Sequence, residues 1–344
     1  MVRAANPLAL CVANAKRSGM ATISKVLISG ASGFIGRRLR RQLLDAGTEV
    51  VAIRRNGSPP TAEGRSTVAS YADTDSLRRV VAEEQPEVIL HVAGVTKGRS
   101  YADFERGNVM PTKNLLEAAT ESSSLKRFVL ISSLAAYGPS SRQRPLVESD
   151  ERRPVEFYGQ SKRAAEEVVE SSEVPWTIMR PSGVYGPGDV DYLELFRMAE
   201  KRLNVFFGNR ERAFSAIYVD DCIRAIIDGA AHANTISQGY FLTDDVPTTW
   251  GEFQAKVVKA SNKRALSLNL PEGIVTLAAH AGELASRVDG KARLLNRQKA
   301  KMSQQDAWLC SGAKARSDFG FEASVSQDEG VQRTRTWYRD NGQI

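Results

Sequence analysis

Three glycines within seven residues constrain this chain more than any other sequence feature. The segment Gly30-Ala31-Ser32-Gly33-Phe34-Ile35-Gly36 follows the apolar run Val26-Leu27-Ile28 and opens an amphipathic stretch over residues 34–44. A strand, a glycine turn and a helix start in this order let backbone N–H groups approach a pyrophosphate at the positive end of the helix. The pattern therefore predicts a dinucleotide site that includes Gly30, Ser32, Gly33, Phe34, Ile35 and Gly36. A tight packing turn is the alternative reading.

The pattern after this segment predicts an α/β fold with a doubly wound parallel (Rossmann) sheet. Short β-branched runs alternate with amphipathic stretches, and five of these runs read as strands joined by crossovers, at residues 26–28, 50–53, 88–90, 128–131 and 176–179. We assign residues 21–182 to the dinucleotide-binding domain. Residues 183–344 are expected to form a smaller C-terminal substrate-binding lobe, with segments returning to the main sheet. Residues 1–20 are read as an unstructured N-terminal extension, and Met20 is an alternative natural start.

The end of the second predicted strand indicates which nicotinamide cofactor the chain prefers. An acidic residue there holds the ribose diol of NAD, whereas a cation accommodates the 2′-phosphate of NADP. Here Arg54 and Arg55 follow the strand. Two guanidinium groups suit a phosphate ester, so we expect NADP, with NAD as the weaker ligand. The alternative is that one or both arginines are solvated surface residues.

Two hydroxyl groups and an amine are candidates for proton chemistry beside a nicotinamide. Tyr158 and Lys162 are four residues apart at the start of a predicted helix, so they share one face. A nearby ammonium favours the phenolate, which is expected to move the phenol pKa toward the working range. Ser133 follows the fourth strand, at the carboxyl edge where such sheets bind ligands, and could polarise a substrate oxygen.

At these residues the chain resembles the extended short-chain dehydrogenase/reductase superfamily, in its NAD-dependent epimerase/dehydratase group, over residues 25–341. The motifs agree in order: the glycine loop, His91-Val92-Ala93-Gly94, Asn108, the trio Ser133, Tyr158 and Lys162, the segment 180–187, and C-terminal patterns at 308–310, 319–321 and 336–338 similar to reductase-like and 3β-hydroxysteroid-dehydrogenase-like members. The resemblance implies that Tyr158 is the acid/base, Lys162 its electrostatic partner and ribose ligand, and Ser133 the oxygen-binding donor.

The resemblance also extends the list of candidate site residues. Further cofactor contacts are implied for Ala93, Gly94, Asn108 and Pro181, and substrate contacts are considered for Lys97, Ser133, Tyr185 and Phe214. Two departures from the family pattern matter. Ser70 stands where many members have an adenine-contacting Asp, and Phe214 stands where sugar-nucleotide members have a diphosphate-binding Arg. His91 is expected to be a hydrogen-bonded structural residue rather than a base.

Composition argues against several other functions. The formal net charge of +7 is spread over short segments with no basic stripe, so no nucleic-acid partner is expected. The three cysteines have no metal-like spacing, no metal site is predicted, and a reducing, cytoplasmic location fits. The sequence contains no run of about 18 apolar residues, so no membrane-spanning helix is predicted. Dimers are common among the proteins the chain resembles, so a homodimer through residues 107–122 and 157–172 is an expectation.

Three functions are compatible with these features. The first is an NADP-dependent reductase or dehydrogenase acting on a lipophilic ketone or secondary alcohol, favoured by Phe214, the pair Phe206-Phe207 and an apolar helix predicted at 274–285. The second is a nucleotide-sugar epimerase or dehydratase that recycles its cofactor, and Arg54, Arg55 and Phe214 speak against it. The third is a non-catalytic NADP-binding sensor or assembly subunit, which the intact Tyr158 and Lys162 disfavour.

Overall fold

The computed structural model describes residues 21–61, 63–271, 273 and 304–344. The strands of these ranges are, in chain order, β1 Lys25–Ser29, β2 Glu49–Arg54, β3 Arg65–Val68, β4 Val88–His91, β5 Arg127–Ile131, β6 Trp176–Pro181, β7 Gly183–Tyr185, β8 Leu203–Phe207, β9 Ala213–Phe214, β10 Ala216–Tyr218, β11 Gln238–Leu242, β12 Thr248–Thr249, β13 Leu266–Leu270 and β14 Ala307–Trp308. The α-helices are α1 Phe34–Asp45, α2 Thr74–Glu84, α3 Tyr101–Phe104, α4 Met110–Ala119, α5 Phe157–Glu170, α6 Leu193–Glu200, α7 Val219–Ala231, α8 Trp250–Ser261, α9 Ala313–Phe319 and α10 Gln327–Asp340. The predicted extension at 1–20, with Met20, lies outside the described residues.

Seven of the described strands form one parallel sheet in the order β11-β6-β5-β4-β1-β2-β3. The chain moves outward from β1 in one direction through β2 and β3, and in the other direction through β4, β5 and β6. The predicted doubly wound Rossmann fold is thereby confirmed. Its switch point lies between β1 and β4, where ligands bind such sheets beyond the carboxyl ends of the strands.

Two edge strands extend the five that the sequence pattern predicts. One of them, β3, has the sequence Arg-Ser-Thr-Val and is partly exposed along its length, so it lacks the apolar run by which buried strands are recognised. The other, β11, pairs in parallel with β6 at the opposite edge. In the chain, β11 comes well after β6 and directly follows α7 and a short turn. Its pairing with β6 is therefore visible only in the folded structure.

The core lies in two layers because successive side chains of a strand point to opposite faces. Along β1, Val26 and Ile28 belong to the cluster on one face, whereas Leu27 belongs to the cluster on the other. Helix α7 packs against α1 on the first face, and α2, α4 and α5 cover the second. Both faces are buried, which explains why the central strands read as continuous apolar runs.

The residues after 182 contribute both to the main sheet and to smaller units. Strands β7 and β10 form one pair, β12, β9 and β14 a second small sheet, and β8 and β13 another pair. Helix α8 packs against α6 and α10. The division of the chain at residue 182 remains a prediction from the sequence.

Candidate functional site

The glycine segment forms a sharp turn between β1 and α1. Gly30 has a φ of +68°, and a Cβ there would lie 2.6 Å from the backbone nitrogen of Ala93. A Cβ on Gly36 would lie 2.1 Å from the carbonyl oxygen of Gly30, so only glycine lets α1 come this close to the turn. Gly33 precedes α1 without a side-chain cap, and Ser32 and Gly33 are exposed. The first N–H groups of α1 are therefore offered to an anion, which fits a pyrophosphate.

A buried hydrogen-bond network connects the end of β1 with the end of β4. The hydroxyl of Ser29 accepts from the backbone N–H groups of Val92 and Ala93, at 3.0 and 3.1 Å, and lies 2.8 Å from Nδ1 of His91. On the other side of the ring, Nε2 lies 3.0 Å from the hydroxyl of Thr112. Burial, with the nearby Lys162 ammonium, lowers the pKa of His91 to about 3. The ring is thus neutral and structural, as expected, whereas no feature of the sequence indicated the role of Ser29.

Asn108 fixes the loop that follows β4. It lies in a single π-helical turn, Glu105–Val109, between α3 and α4, and its side chain is buried. Its amide oxygen accepts from the Val95 N–H at 2.7 Å, and its Nδ2 donates to Val95 O and to the Ser161 hydroxyl on α5 at 3.1 and 2.8 Å. A Cβ on the exposed Gly94 would lie 2.9 Å from the Asn108 oxygen. Asn108 therefore positions the Ala93–Gly94 loop.

The two arginines after β2 have different environments. Arg55 is exposed, whereas Arg54 is half-buried and donates from Nη1 to the carbonyl of Ser58 at 2.8 Å. Within the described ranges, Nε of Arg54 is buried and has no hydrogen-bond partner. Tyr71, which the sequence analysis missed, donates its hydroxyl to Ile53 O at 3.3 Å, and burial raises its pKa to about 12. The sequence feature that could have indicated Tyr71 is its position directly after Ser70, which stands where many members have an adenine-contacting Asp.

The structure brings Ser133 and Tyr158 together. Ser133 starts a short 3₁₀ turn after β5, and its hydroxyl accepts from the Ala135 N–H at 3.2 Å. Glu156 caps the start of α5 by accepting from the N–H groups of Tyr158 and Gly159, both at 2.6 Å. A Cβ on Gly159 would lie 2.3 Å from Ala135 O, so this glycine permits the close approach. This approach brings the Ser133 hydroxyl next to the Tyr158 phenol, whose pKa it affects.

The protonation of the pair differs from the sequence-based expectation. Burial raises the pKa of Tyr158 to about 12, while the Ser133 hydroxyl opposes that rise. The buried Nζ of Lys162 donates to the Ile131 carbonyl at 2.6 Å, and burial is the largest influence on the phenol pKa. Burial lowers the pKa of Lys162 to about 8, and Glu166 opposes the decrease. The expected shift of the phenol toward the working range is therefore wrong for this structure, which favours a protonated Tyr158.

The remaining candidates are more dispersed. Lys97 is exposed on the loop anchored by Asn108, and Pro181 is buried at the end of β6. Tyr185 and Phe214 belong to the core, with 1% and 5% of their surface exposed, and the Tyr185 hydroxyl lies against Gly330 of α10. The predicted helix at 274–285 lies outside the described residues.

Rings near the end of β6 form a compact group. Phe214 stacks on Trp250 with ring centroids 4.3 Å apart, and Tyr192 stacks on the same indole at 6.1 Å. The Tyr192 hydroxyl lies 2.7 Å from the place a Cβ on Gly183 would take, two residues after Pro181. Tyr192 and Trp250 are half-buried. We call Phe214, Trp250 and Tyr192 the aromatic group; it joins the end of the central sheet to α6 and α8.

Comparison with known proteins identifies the family. The model of the NAD-dependent epimerase/dehydratase family matches residues 26–240, more than half of the chain. The chain belongs to the NAD-dependent epimerase/dehydratase family. The resemblance inferred from the motifs is thus confirmed, and this family member is an enzyme of the NAD(P)-dependent oxidoreductase type.

Relatives of this family member include reductases. It is 28% identical to the ceramide reductase of Caulobacter vibrioides over 324 residues, covering 92% of this chain and 95% of the relative. It is 25% identical over 330 residues to a ketoreductase of Stigmatella aurantiaca that acts on a 4-hydroxy-2-methyl-3-oxo-4-farnesyl-3,4-dihydroquinoline-1-oxide, covering 90% and 96%. The Bordetella bronchiseptica enzyme WbmG, solved with NAD and UDP, shares the fold with a TM-score of 0.76 at 18% identity, covering 94% and 97%.

The described residues of this family member contain neither a metal-ligand cluster nor a membrane-spanning helix. They contain no group of three or more His, Cys, Asp or Glu side chains arranged to hold a metal ion. None of the helices in the described ranges combines the length and the apolar character that a bilayer crossing requires.

Proposed function

We propose that this family member is an NADP-dependent oxidoreductase that reduces a lipophilic ketone, or oxidises the corresponding secondary alcohol, by hydride transfer. The pairing of Ser133 with a protonated Tyr158 at the carboxyl end of the sheet carries this proposal. The phenol is protonated at neutral pH and can donate its proton to a carbonyl oxygen held by Ser133, and the positive charge of Lys162 favours the phenolate that this transfer leaves. The names of the ceramide reductase and of the farnesyl-quinoline ketoreductase support a lipophilic substrate.

The aromatic group supports the same substrate class. Phe214 occupies the place of the diphosphate-binding arginine of sugar-nucleotide members and packs against Trp250 rather than presenting a charge. Half-buried rings such as Tyr192 and Trp250 can bind apolar substrate surface and exclude water from it. Phe214 offers no charge to a nucleotide diphosphate, and therefore we favour the reductase; Arg210, which lies against Gly251, and Arg212 are the cations by which an epimerase or dehydratase would still bind one.

Ser133, Tyr158 and Lys162 have separate roles in the proposed reaction. A bound nicotinamide supplies or accepts the hydride. The Ser133 hydroxyl donates a hydrogen bond to the substrate oxygen and orients it toward Tyr158. As the carbonyl carbon gains the hydride, Tyr158 transfers its phenolic proton to the oxygen, so the alcohol forms without a free alkoxide. Lys162 stabilises the resulting phenolate by its positive charge, and solvent returns the proton; oxidation runs the same steps in reverse.

The test is a panel of lipophilic ketones and sugar nucleotides assayed by the loss of NADPH absorbance. We expect ketone-dependent oxidation, and Tyr158→Phe should lower kcat by about 100-fold or more with NADPH affinity nearly retained. Tyr101→Phe, on the neighbouring helix α3, is the matched control and should keep its activity. Tight cofactor binding without net oxidation, together with turnover of a sugar nucleotide, would favour the epimerase; binding with no turnover would favour the sensor.

The preference for NADP rests on Arg54 and Arg55. The exposed Arg55, next to the half-buried Arg54, places guanidinium N–H groups at the end of β2 for a phosphate. Charge-assisted bonds to a phosphate contribute about 1.5–3 kcal/mol each. We therefore expect Arg55→Ser to weaken NADPH by about 10-fold or more and to leave NADH nearly unchanged, whereas Arg41→Ser on the exposed side of α1 should change neither. Equal losses for both cofactors, or tighter binding of NADH to the unmodified chain, would contradict the assignment.

Two further expectations belong to the proposal. A homodimer through the α4 and α5 faces is tested by light scattering, where a monomer mass would refute it. A reducing cytoplasmic location suits the two buried free thiols, Cys222 and Cys310. Fractionation of the source cells tests the location.

A further inference from the structure

A fully buried carboxylate lies one helical turn beyond the catalytic lysine. Tyr158, Lys162, Glu166 and Glu170 follow each other at intervals of four on α5, so they lie on one face of the helix. Glu166 has no exposed surface, and Lys162 is buried as well. An ionised group in such a place is stable only when partners compensate its lost hydration. The partners of Glu166 therefore indicate what it does.

Three groups bind this carboxylate. Nε of Arg180, on β6, lies 3.0 and 3.1 Å from its two oxygens, and Nη1 of Arg152 lies 3.0 Å from Oε2. The hydroxyl of Ser132 donates to Oε1. Ser132 is the residue between Ile131, whose carbonyl accepts from Lys162, and Ser133. One carboxylate is thus connected to the segment that holds both the lysine and the serine of the site.

The same carboxylate affects the charge balance around Lys162. Arg152 and Arg180 also face Glu170, at 2.7 and 3.6 Å, so two carboxylates and two guanidinium groups balance each other. The Lys162 ammonium is then the one excess charge of this buried group until Tyr158 becomes a phenolate. Loss of Glu166 would leave two excess positive charges in a site of low dielectric, which disfavours the ammonium. The groups that face the cluster from neighbouring elements include the neutral His91 of β4, Tyr137 under the Arg180 guanidinium, and Glu148 with Lys314 and Asp150 at the adjoining cavity; Glu156 and Asp191 act on Tyr158.

Building on the proposed function, we propose that Glu166 is a positioning residue that anchors the Ser132–Ser133 segment and keeps the Lys162 ammonium charged for the reaction. A cavity of about 470 Å³ opens beside the cluster and is lined by Arg152, Glu170 and Arg180, among others. It gives solvent access to the outer guanidinium groups, while the Glu166 carboxylate itself stays dry. Glu166 therefore acts through Ser132 and Lys162 and does not touch the substrate.

The decisive variant is Glu166→Gln, which keeps the shape and removes the charge. In this variant Lys162 loses its proton at lower pH, so the alkaline decline of ketone reduction should move down by about one pH unit. The pH at which NADPH affinity falls should move by the same amount, and this readout requires no turnover. Glu167→Gln, the exposed neighbour that pairs with Arg163, is the matched control and should leave both profiles unchanged.

Two further variants separate charge from mechanical support. Arg152→Gln removes a positive charge at a partly exposed side chain, so both profiles should move upward, opposite to the Glu166 variant. Ser132→Ala keeps the charge and loosens the anchor, so kcat should fall while the pH midpoints stay. The Arg152 variant also keeps the test decisive if Glu166→Gln does not fold.

Each outcome bears on a single proposal. Unchanged midpoints in folded Glu166→Gln or Arg152→Gln, or shifts in the same direction for both, would overturn the positioning role. If no ketone is reduced but the NADPH-affinity midpoints move as described, the positioning role stands and the proposed function fails. If ketones are reduced and the midpoints do not move, the proposed function stands and the positioning role of Glu166 fails.

Discussion

Replacement of His91 by glutamine should remove much of the acid sensitivity of this fold. The Thr112 hydroxyl donates to Asn108 O at 2.7 Å, so it accepts from His91 Nε2–H. Ser29 Oγ already accepts two backbone N–H groups, so its proton goes to His91 Nδ1. A second ring proton would face a saturated oxygen in a buried, positively charged region, which explains the lowered pKa.

The magnitude follows from linkage between protonation and folding. The pKa of His91 falls from 6.5 in the unfolded chain to about 3 in the fold. Because the folded pKa is depressed, its contribution is present above pH 6.5 and is lost as the pH falls toward 3. Each pH unit in this window corresponds to about 1.4 kcal/mol. Between pH 7 and pH 5, this residue alone therefore lowers the free energy of unfolding by about 2 kcal/mol.

The assay is urea unfolding followed by tryptophan fluorescence at pH 7, 6 and 5. Carboxylates also titrate in the fold, and they contribute equally to the original chain and to the variant. We expect His91→Gln to be less stable at pH 7 and to lose about 2 kcal/mol less than the original chain on acidification to pH 5. The same acid dependence in His91→Gln as in the original chain would contradict this role of His91.

Two further changes test the cofactor loop. Gly36→Ala places a methyl group 2.1 Å from Gly30 O, so α1 must move by about 1 Å. A misplacement of that size can lower an enzyme's rate by about 100-fold. We expect a comparable loss of NADPH affinity in a fluorescence titration. Asn108→Ala removes the bonds to Val95 and Ser161 and should lower the free energy of unfolding by about 1–3 kcal/mol in urea denaturation, with faster hydrogen exchange at the Val95 amide. Unchanged affinity in the first variant, or slow exchange in the second, would contradict these expectations.

Features set by local spacing could be predicted from the sequence. The glycine turn needs only a strand before it and a helix after it, and both are visible as periodic apolar patterns. The five buried strands were recognised for the same reason. Tyr158 and Lys162 share a helix face because they are four residues apart, and this holds wherever the helix packs.

Features that depend on environment could not be predicted in this way. The edge strand β3 has no apolar run, and the position of β11 beside β6 joins segments about 60 residues apart in the chain. Tyr185 lies within the segment 180–187 that resembles a family motif, and Phe214 stands where sugar-nucleotide members have an arginine, yet both are buried in the core, where the ring of Phe253 on α8 packs against them.

Residue types and their spacing were sufficient to predict the fold class and the family, and they single out the glycine turn and Ser133, Tyr158 and Lys162 as candidates for the site. Only the tertiary structure decided their protonation and support: that Lys162 donates to Ile131 O, that Tyr158 keeps its proton, and that Glu166 lies between Ser132 and two arginines. The physical reason is that a motif specifies residue types at fixed spacing. A pKa, in contrast, depends on the water excluded and the charges brought near by residues that are distant in the chain.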